Sequence, residues 1–111
     1  MLEDLIVFQK LYDLILWIYP IINKFPQKQR FVLGQQIQNK LLEILKNIIE
    51  GNQAIQKTVI LKHASVNLDE LRILIRLSKD LHFLSINQYQ IAAEKINEIG
   101  RFLNAWLRRF S

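Results

Sequence analysis

From Tyr89 to Phe110, seven positions follow one another at strict 3-4 spacing: Tyr89, Ala92, Ile96, Ile99, Leu103, Trp106 and Phe110. That repeat matches the period of a helix and not that of a strand. Sustained over three heptads it is a seam, and a seam specifies helices packed side by side at shallow angles. The rest of the chain agrees. Its 111 residues include only three Gly and two Pro, few for the many turns of an all-β fold. Leu, Ile, Lys, Gln and Glu dominate, and they favour helix. The expected class is all-α, and residues 1–111 suffice for a single domain with one core.

Three further segments carry the helical period. The first runs from about Leu2 to Ile22, with Leu5, Leu11, Leu14, Ile15, Ile18 and Ile22 at core spacings and Pro20 expected to kink its last turn. Asn23 to Phe25 form a short connection. The second starts near Pro26, which suits a first turn, and presents Phe31, Gly34, Ile37, Leu41, Ile44, Leu45 and Ile48. Gly51 reads as the C′ residue that ends it. The third covers roughly Gln56 to Leu84. The fourth opens after Ser85-Ile86-Asn87-Gln88, where Ser85 and Gln88 have the spacing of a capping box and Asn87 competes as N-cap. Gly100 lies beside the seam. A mid-helix glycine costs about 0.5–1 kcal/mol against alanine, and close approach by a neighbouring helix is the expected compensation. The short connections force antiparallel neighbours, so the expected architecture is an antiparallel up-down-up-down four-helix bundle.

The third helix has an unusual pattern. Lys62, Ser65, Asp69, Arg72, Arg76, Lys79 and Asp80 share a polar sector of roughly 100°, leaving an arc of roughly 200° that is mostly apolar. Ile60, Ala64, Val66, Leu71, Ile73, Leu74, Ile75, Leu77 and Leu81 fill that arc. The outer helix of a monomeric bundle needs a narrower stripe. The excess points to burial on two sides, by the bundle core and by another subunit.

Arg72 and Arg76 lie one turn apart within this apolar surface, an arrangement that suits a rigid grip on phosphate or carboxylate. Lys79 extends the stripe and Lys62 lies on its edge. The competing reading is pairing within the helix, because Asp69 precedes Arg72 by three residues and Asp80 follows Arg76 by four. Arg101, Arg108 and Arg109 form a second basic cluster, whose last two members also answer the helix dipole. Lys24, Lys28 and Arg30 make a third around the first interhelical turn. The formal charge of +5 and pI of about 9.7 fit an anionic partner. Tyr89, Trp106 and Phe110 fall on the seam and are assigned to packing, so nucleic-acid contact should be mainly to phosphates.

Catalysis has little to work with. There is no cysteine, hence no thiolate chemistry and no disulfide scaffold. No glycine-rich phosphate loop, HExxH or ExxH pair is present. His63 and His82 read as structural residues, His63 projecting towards the apolar arc. Glu94 and Glu98 sit beside Lys95 and Arg101 as solvated surface. No cofactor and no metal are expected. Leu14 to Ile22, the longest run without a strongly polar residue, is broken by Pro20 and is too short to cross a bilayer. With no basic leader at the N-terminus, a cytoplasmic protein without membrane partners is expected.

Several segments together resemble one family. They are Tyr12-Asp13-Leu14 through Trp17, Phe25-Pro26-Gln27-Lys28-Gln29-Arg30-Phe31 leading to Leu33-Gly34-Gln35, Leu68-Asp69-Glu70-Leu71-Arg72-Ile73-Leu74-Ile75-Arg76-Leu77, and Tyr89 followed by Glu98-Ile99-Gly100-Arg101-Phe102-Leu103-Asn104-Ala105-Trp106. In order and spacing these resemble the accessory variability determinant (Avd) proteins of diversity-generating retroelements. Those proteins are close in fold to the four-helix proteins encoded in intervening sequences of ribosomal RNA genes. The resemblance covers nearly the whole chain. It implies a homopentameric barrel that binds RNA, the template RNA included, and DNA, associates with a reverse transcriptase, and supports mutagenic cDNA synthesis without catalysis of its own. It assigns nucleic-acid contact to Arg72 and Arg76, and Lys79 of the same stripe, Lys62 on its edge and Arg101 of the second cluster are expected to contribute. Phe31, Gly34, Tyr89, Gly100 and Trp106 are expected in packing within or between protomers. Where the family often carries a Gly-Gly pair before the tryptophan, this chain has Asn104-Ala105, which implies looser contact there. The alternatives are a protein of the ribosomal intervening-sequence type and an oligomeric scaffold that binds only protein.

Overall fold

The computed structural model describes residues 2–110, and all the regular structure among them is helical. Helix α1 is Leu2–Ile22. Helix α2 is one continuous rod in three stretches: a first turn Gln27–Gln29, a wider π-helical turn Arg30–Gly34, and Gln35–Gln53. Helix α3 is Thr58–Asp80 and α4 is Ile86–Arg108. Contacts between helices run in opposite residue order. Lys10 meets Glu98 while Glu3 meets Arg109, Lys40 meets Glu70 while Asn47 meets Asn67, and Lys79 lies over Tyr89 while Arg72 approaches Gly100. The bundle is therefore antiparallel, each helix packing against the next and α4 closing against α1. It measures 43 × 23 × 20 Å.

The core follows the helical period. Val7, Leu11, Leu14, Ile18 and Ile22 of α1 meet Ile37, Leu41, Ile44 and Ile48 of α2, Leu61, Ala64, Leu68, Leu71 and Ile75 of α3, and Ala92, Ile96, Ile99, Leu103 and Trp106 of α4. Helix α1 is long and apolar enough to cross a membrane by length and composition. The apolar run from Leu14 to Ile22 is short, but over Leu5 to Ile22 only Lys10 and Asp13 are charged. Here one face of α1 packs into the core.

Several local expectations are corrected. Phe31 does not line the core of α2; it is 72% exposed. The π turn advances the chain less per residue than an α turn, so Leu33 and Gly34 take the inward positions. Gly34 has a tight role, since a Cβ there would stand 2.8 Å from Ile22 Cγ2. Gly51 is not a C′ residue. It is buried inside α2, where a Cβ would meet Leu61 Cδ2 at 2.9 Å and Trp106 Cη2 at 3.6 Å. The end of α2 is instead closed by Lys57, whose Nζ donates to the carbonyls of Gly51, Asn52 and Ala54. Leu5 is exposed, with Val7 in its place, and Pro20 lies within α1 on its exposed side.

Helix α3 begins two residues later than expected and ends at Asp80. His82, at φ 66°, reverses the chain, with its N–H on Lys79 O and that of Phe83 on Ser78 O. This is a Schellman closure with histidine where glycine is usual. The capping box of α4 is present as expected: Gln88 N donates to Ser85 Oγ and Ser85 N to Gln88 Oε1. Helix α4 stops at Arg108, leaving Phe110 outside the seam and 38% exposed. Phe25 of the first connection is 3% exposed. Its ring lies 5.7 Å from that of Phe83, which ties the α1–α2 and α3–α4 turns together at one end.

Candidate nucleic-acid interface

Apolar packing fixes α3, and α3 fixes the arginines. Leu68, Leu71 and Ile75 are buried on its core face. Arg72 and Lys79 therefore emerge beside α4, with Arg76 further out. Arg72 is half-buried. Its Nη1 donates to Asp69 Oδ1. Its other edge lies against Gly100 of α4, where a Cβ would stand 2.7 Å from Nη2. The glycine thus accommodates a guanidinium, with Leu68 Cδ2 also at 3.4 Å, and not a closely approaching helix backbone.

Arg76 is 67% exposed, its Nε 3.9 Å from Asp80 Oδ2. Lys79 Nζ lies 3.2 Å from Asp80 Oδ1 and 4.6 Å from the centre of the half-buried Tyr89 ring. Both acids that argued for pairing within the helix do pair. Their partners remain at the surface and, among the described residues, are neutralised only along their own helix.

The structure brings Arg72, Arg76 and Lys79 into one row along the α3–α4 groove. It does not bring Lys62 or Arg101 into that row. Lys62 is exposed one residue past the first turn of α3, ten residues and about 15 Å of helix from Arg72. Arg101 Nη2 donates to Glu98 at 2.7 Å and its guanidinium lies over the Phe102 ring, on the side of α4 that faces α1. Lys24, Lys28 and Arg30 are exposed at the same end as Lys79. In segments 20–35 and 75–90, which contain this end, five cations face the single carboxylate of Asp80. The exposed Phe31 and Val32 adjoin it.

At the opposite end Arg109 ties α4 to α1. Its Nη2 donates to Glu3 Oε2 at 3.0 Å and its Nε approaches Oε1 at 2.8 Å. That hydrogen-bonded guanidinium holds the Glu3 carboxyl below its ordinary pKa. At Glu98 burial acts upward, but Arg101 and Lys10 outweigh it and the net shift is down.

Trp106, 1% exposed, is a core residue as expected. His63 and His82 are exposed, so His63 does not enter the apolar side. Among the described residues no three His, Asp or Glu side chains converge as a metal site. Local reading missed a pocket beside Arg72, lined also by Ile75, Tyr89, Ala93, Ile96 and Asn97. The only sequence signal near it was Gly100.

A family model described as bAvd-like matches residues 5–110. Among solved structures, the chain is similar to a protein of unknown function from the S23 ribosomal protein family of Bacteroides thetaiotaomicron. The TM-score is 0.86 at 21% identity, over 96% of this chain and 98% of that one. That likeness speaks to the fold. No curated protein matches the chain significantly.

Proposed function

The chain belongs to the bAvd-like family, and from that premise we propose that it is a non-catalytic nucleic-acid-binding accessory subunit of a retroelement reverse transcriptase, supporting mutagenic cDNA synthesis. The observation that carries this reading is the row of Arg72, Arg76 and Lys79 at the basic end of the bundle. A phosphate strand can displace Asp69 and Asp80 there without opening any contact between helices. Neutralising phosphates releases counterions, so affinity falls steeply with salt.

The homopentameric barrel is part of the proposal. Two separate apolar strips remain exposed: Leu5, Phe8, Tyr12, Leu16, Leu42 and Ile49 across α1 and α2, and Val59, Val66, Ile73 and Leu77 on α3 with Leu81 at its C-cap. Two unlike faces on one protomer suit a head-to-tail ring. The test is Arg72→Ala with Arg76→Ala. RNA affinity should fall about 30-fold at low salt, and the slope of log affinity against log salt should flatten by roughly 0.7 per lost single-strand phosphate contact, with a pentameric mass retained in light scattering. Unchanged RNA affinity with reverse-transcriptase binding intact favours the second reading, a scaffold that binds only protein. The exposed strips and the paired arginines support that reading.

A further inference from the structure

The groove between α3 and α4 deepens beside Arg72 into a pocket lined by Arg72, Ile75, Tyr89, Ala93, Ile96 and Asn97. We propose that this pocket takes one unstacked nucleobase from a single-stranded nucleic acid, with the flanking phosphates on Arg72 and Lys79. The inference rests on the nucleic-acid reading above and names the form of substrate it requires.

Each part of a nucleotide finds a matching surface. Ile75 and Ile96 are each 1% exposed and, with Ala93, form an apolar floor for the face of a base. Tyr89 supplies an aromatic wall, held by the Lys79 ammonium 4.6 Å from its ring centre. Asn97 is exposed, and its carboxamide makes no hydrogen bond among the described residues. Both its donor and its acceptor are thus available to a base edge.

Arg72 and Lys79 stand two turns apart, about 10 Å along α3, and bracket the pocket. Asp69 occupies Nη1 of Arg72, leaving other N–H groups of the fork for phosphate. The cavity is about 140 Å³, below the size of a drug-sized ligand site, which limits it to a single base. A base must leave its stack to enter such a site, which selects single strands over duplex. The groove between α1 and α4 makes the contrast. Its lining pairs Lys10 and Lys95 with three carboxylates, Asp13, Glu94 and Glu98, and repels a phosphate strand.

The experiment is fluorescence anisotropy with a labelled twelve-nucleotide single-stranded RNA, its abasic sugar-phosphate counterpart and the matching duplex. The wild-type protein should prefer the intact strand to the abasic one about tenfold, equivalent to ~1.4 kcal/mol, and should prefer it to the duplex. Ala93→Leu fills the pocket without altering charge, so its affinity for the intact strand should drop to the abasic level while abasic binding is unchanged. Asn97→Ala changes only an exposed side chain and should lose about threefold on the intact strand alone; it decides the matter if Ala93→Leu does not fold. Equal wild-type affinity for intact and abasic strands, or wild-type behaviour of both variants, overturns the pocket while the phosphate row stands. Absence of binding to any of the three probes overturns both.

Discussion

Helix α3 is laced to α2 on one flank and left open towards α4 on the other. On the α2 side, Lys40 Nζ reaches Glu70 at 2.7 Å and Glu43 at 3.4 Å, and Asn67 donates to Asn47 at 2.8 Å. On the α4 side, Arg72, Arg76 and Lys79 find carboxylates, among the described residues, only along their own helix. The two flanks use the same kinds of residue to different ends. A charge answered across the gap holds two helices together. A charge answered along its own helix at the surface is worth less than about 1 kcal/mol, and a phosphate can take the place of its partner at little cost to the fold.

Both grooves share one floor, and removing it gives the largest expected effect. Leu71 is fully buried on the core face of α3. Leu71→Ala should cost about 2–5 kcal/mol, through lost transfer energy and a residual cavity. Urea denaturation measures it, and a loss under about 1 kcal/mol would mean that the floor collapses and the two flanks are not separately anchored.

The laced flank was the harder one to read in the sequence. Helix periods, the capping box and the antiparallel order are local or follow from short connections, and they were legible. Lys40 and Glu70 are thirty residues apart, and neither carries a mark of the other. The same holds for Arg109 and Glu3. The row of Arg72, Arg76 and Lys79 was visible because one helix sets its spacing. Asn97 and Ala93 were not, since they matter only where α4 passes Arg72. The misplacement of Phe31 has a different cause. A π turn breaks the uniform 100° step on which every face assignment rests, and nothing in Arg30-Phe31-Val32-Leu33-Gly34 announces it.

Lys40→Met tests the lacing, since methionine keeps much of the aliphatic stem and removes the ammonium. Stability should fall by about 1 kcal/mol, with RNA affinity within about twofold of wild type. The hydrogen bond that Lys40 Nζ donates to Glu70, outweighing the opposing effect of burial, raises the Lys40 pKa above its ordinary value. Its stabilising contribution is therefore complete below the unfolded-state pKa and disappears as pH rises through the folded-state value. Urea midpoints of wild type and variant should converge at strongly alkaline pH. A constant difference across the alkaline range would show that the lacing is steric and not ionic.

The smallest effect separates the flanks most sharply. Gly100→Ala adds a Cβ 2.7 Å from Arg72 Nη2, with Leu68 Cδ2 at 3.4 Å. The guanidinium is the far end of a flexible side chain and can withdraw. Alanine also gains about 0.5–1 kcal/mol of helix propensity, which offsets the disturbed packing. Thermal stability should then change by less than about 0.5 kcal/mol. The displaced Arg72 loses its seat beside the groove, and RNA affinity should fall about threefold. A glycine kept only for helix packing predicts the reverse, a clear loss of stability with RNA affinity unchanged. Gly51 provides that case within the same molecule: a Cβ there meets Leu61 Cδ2 at 2.9 Å in the buried core, so Gly51→Ala should lower stability and leave RNA binding alone. If the two substitutions behave alike, Gly100 is a packing residue and the open flank of α3 has no seat for its arginine.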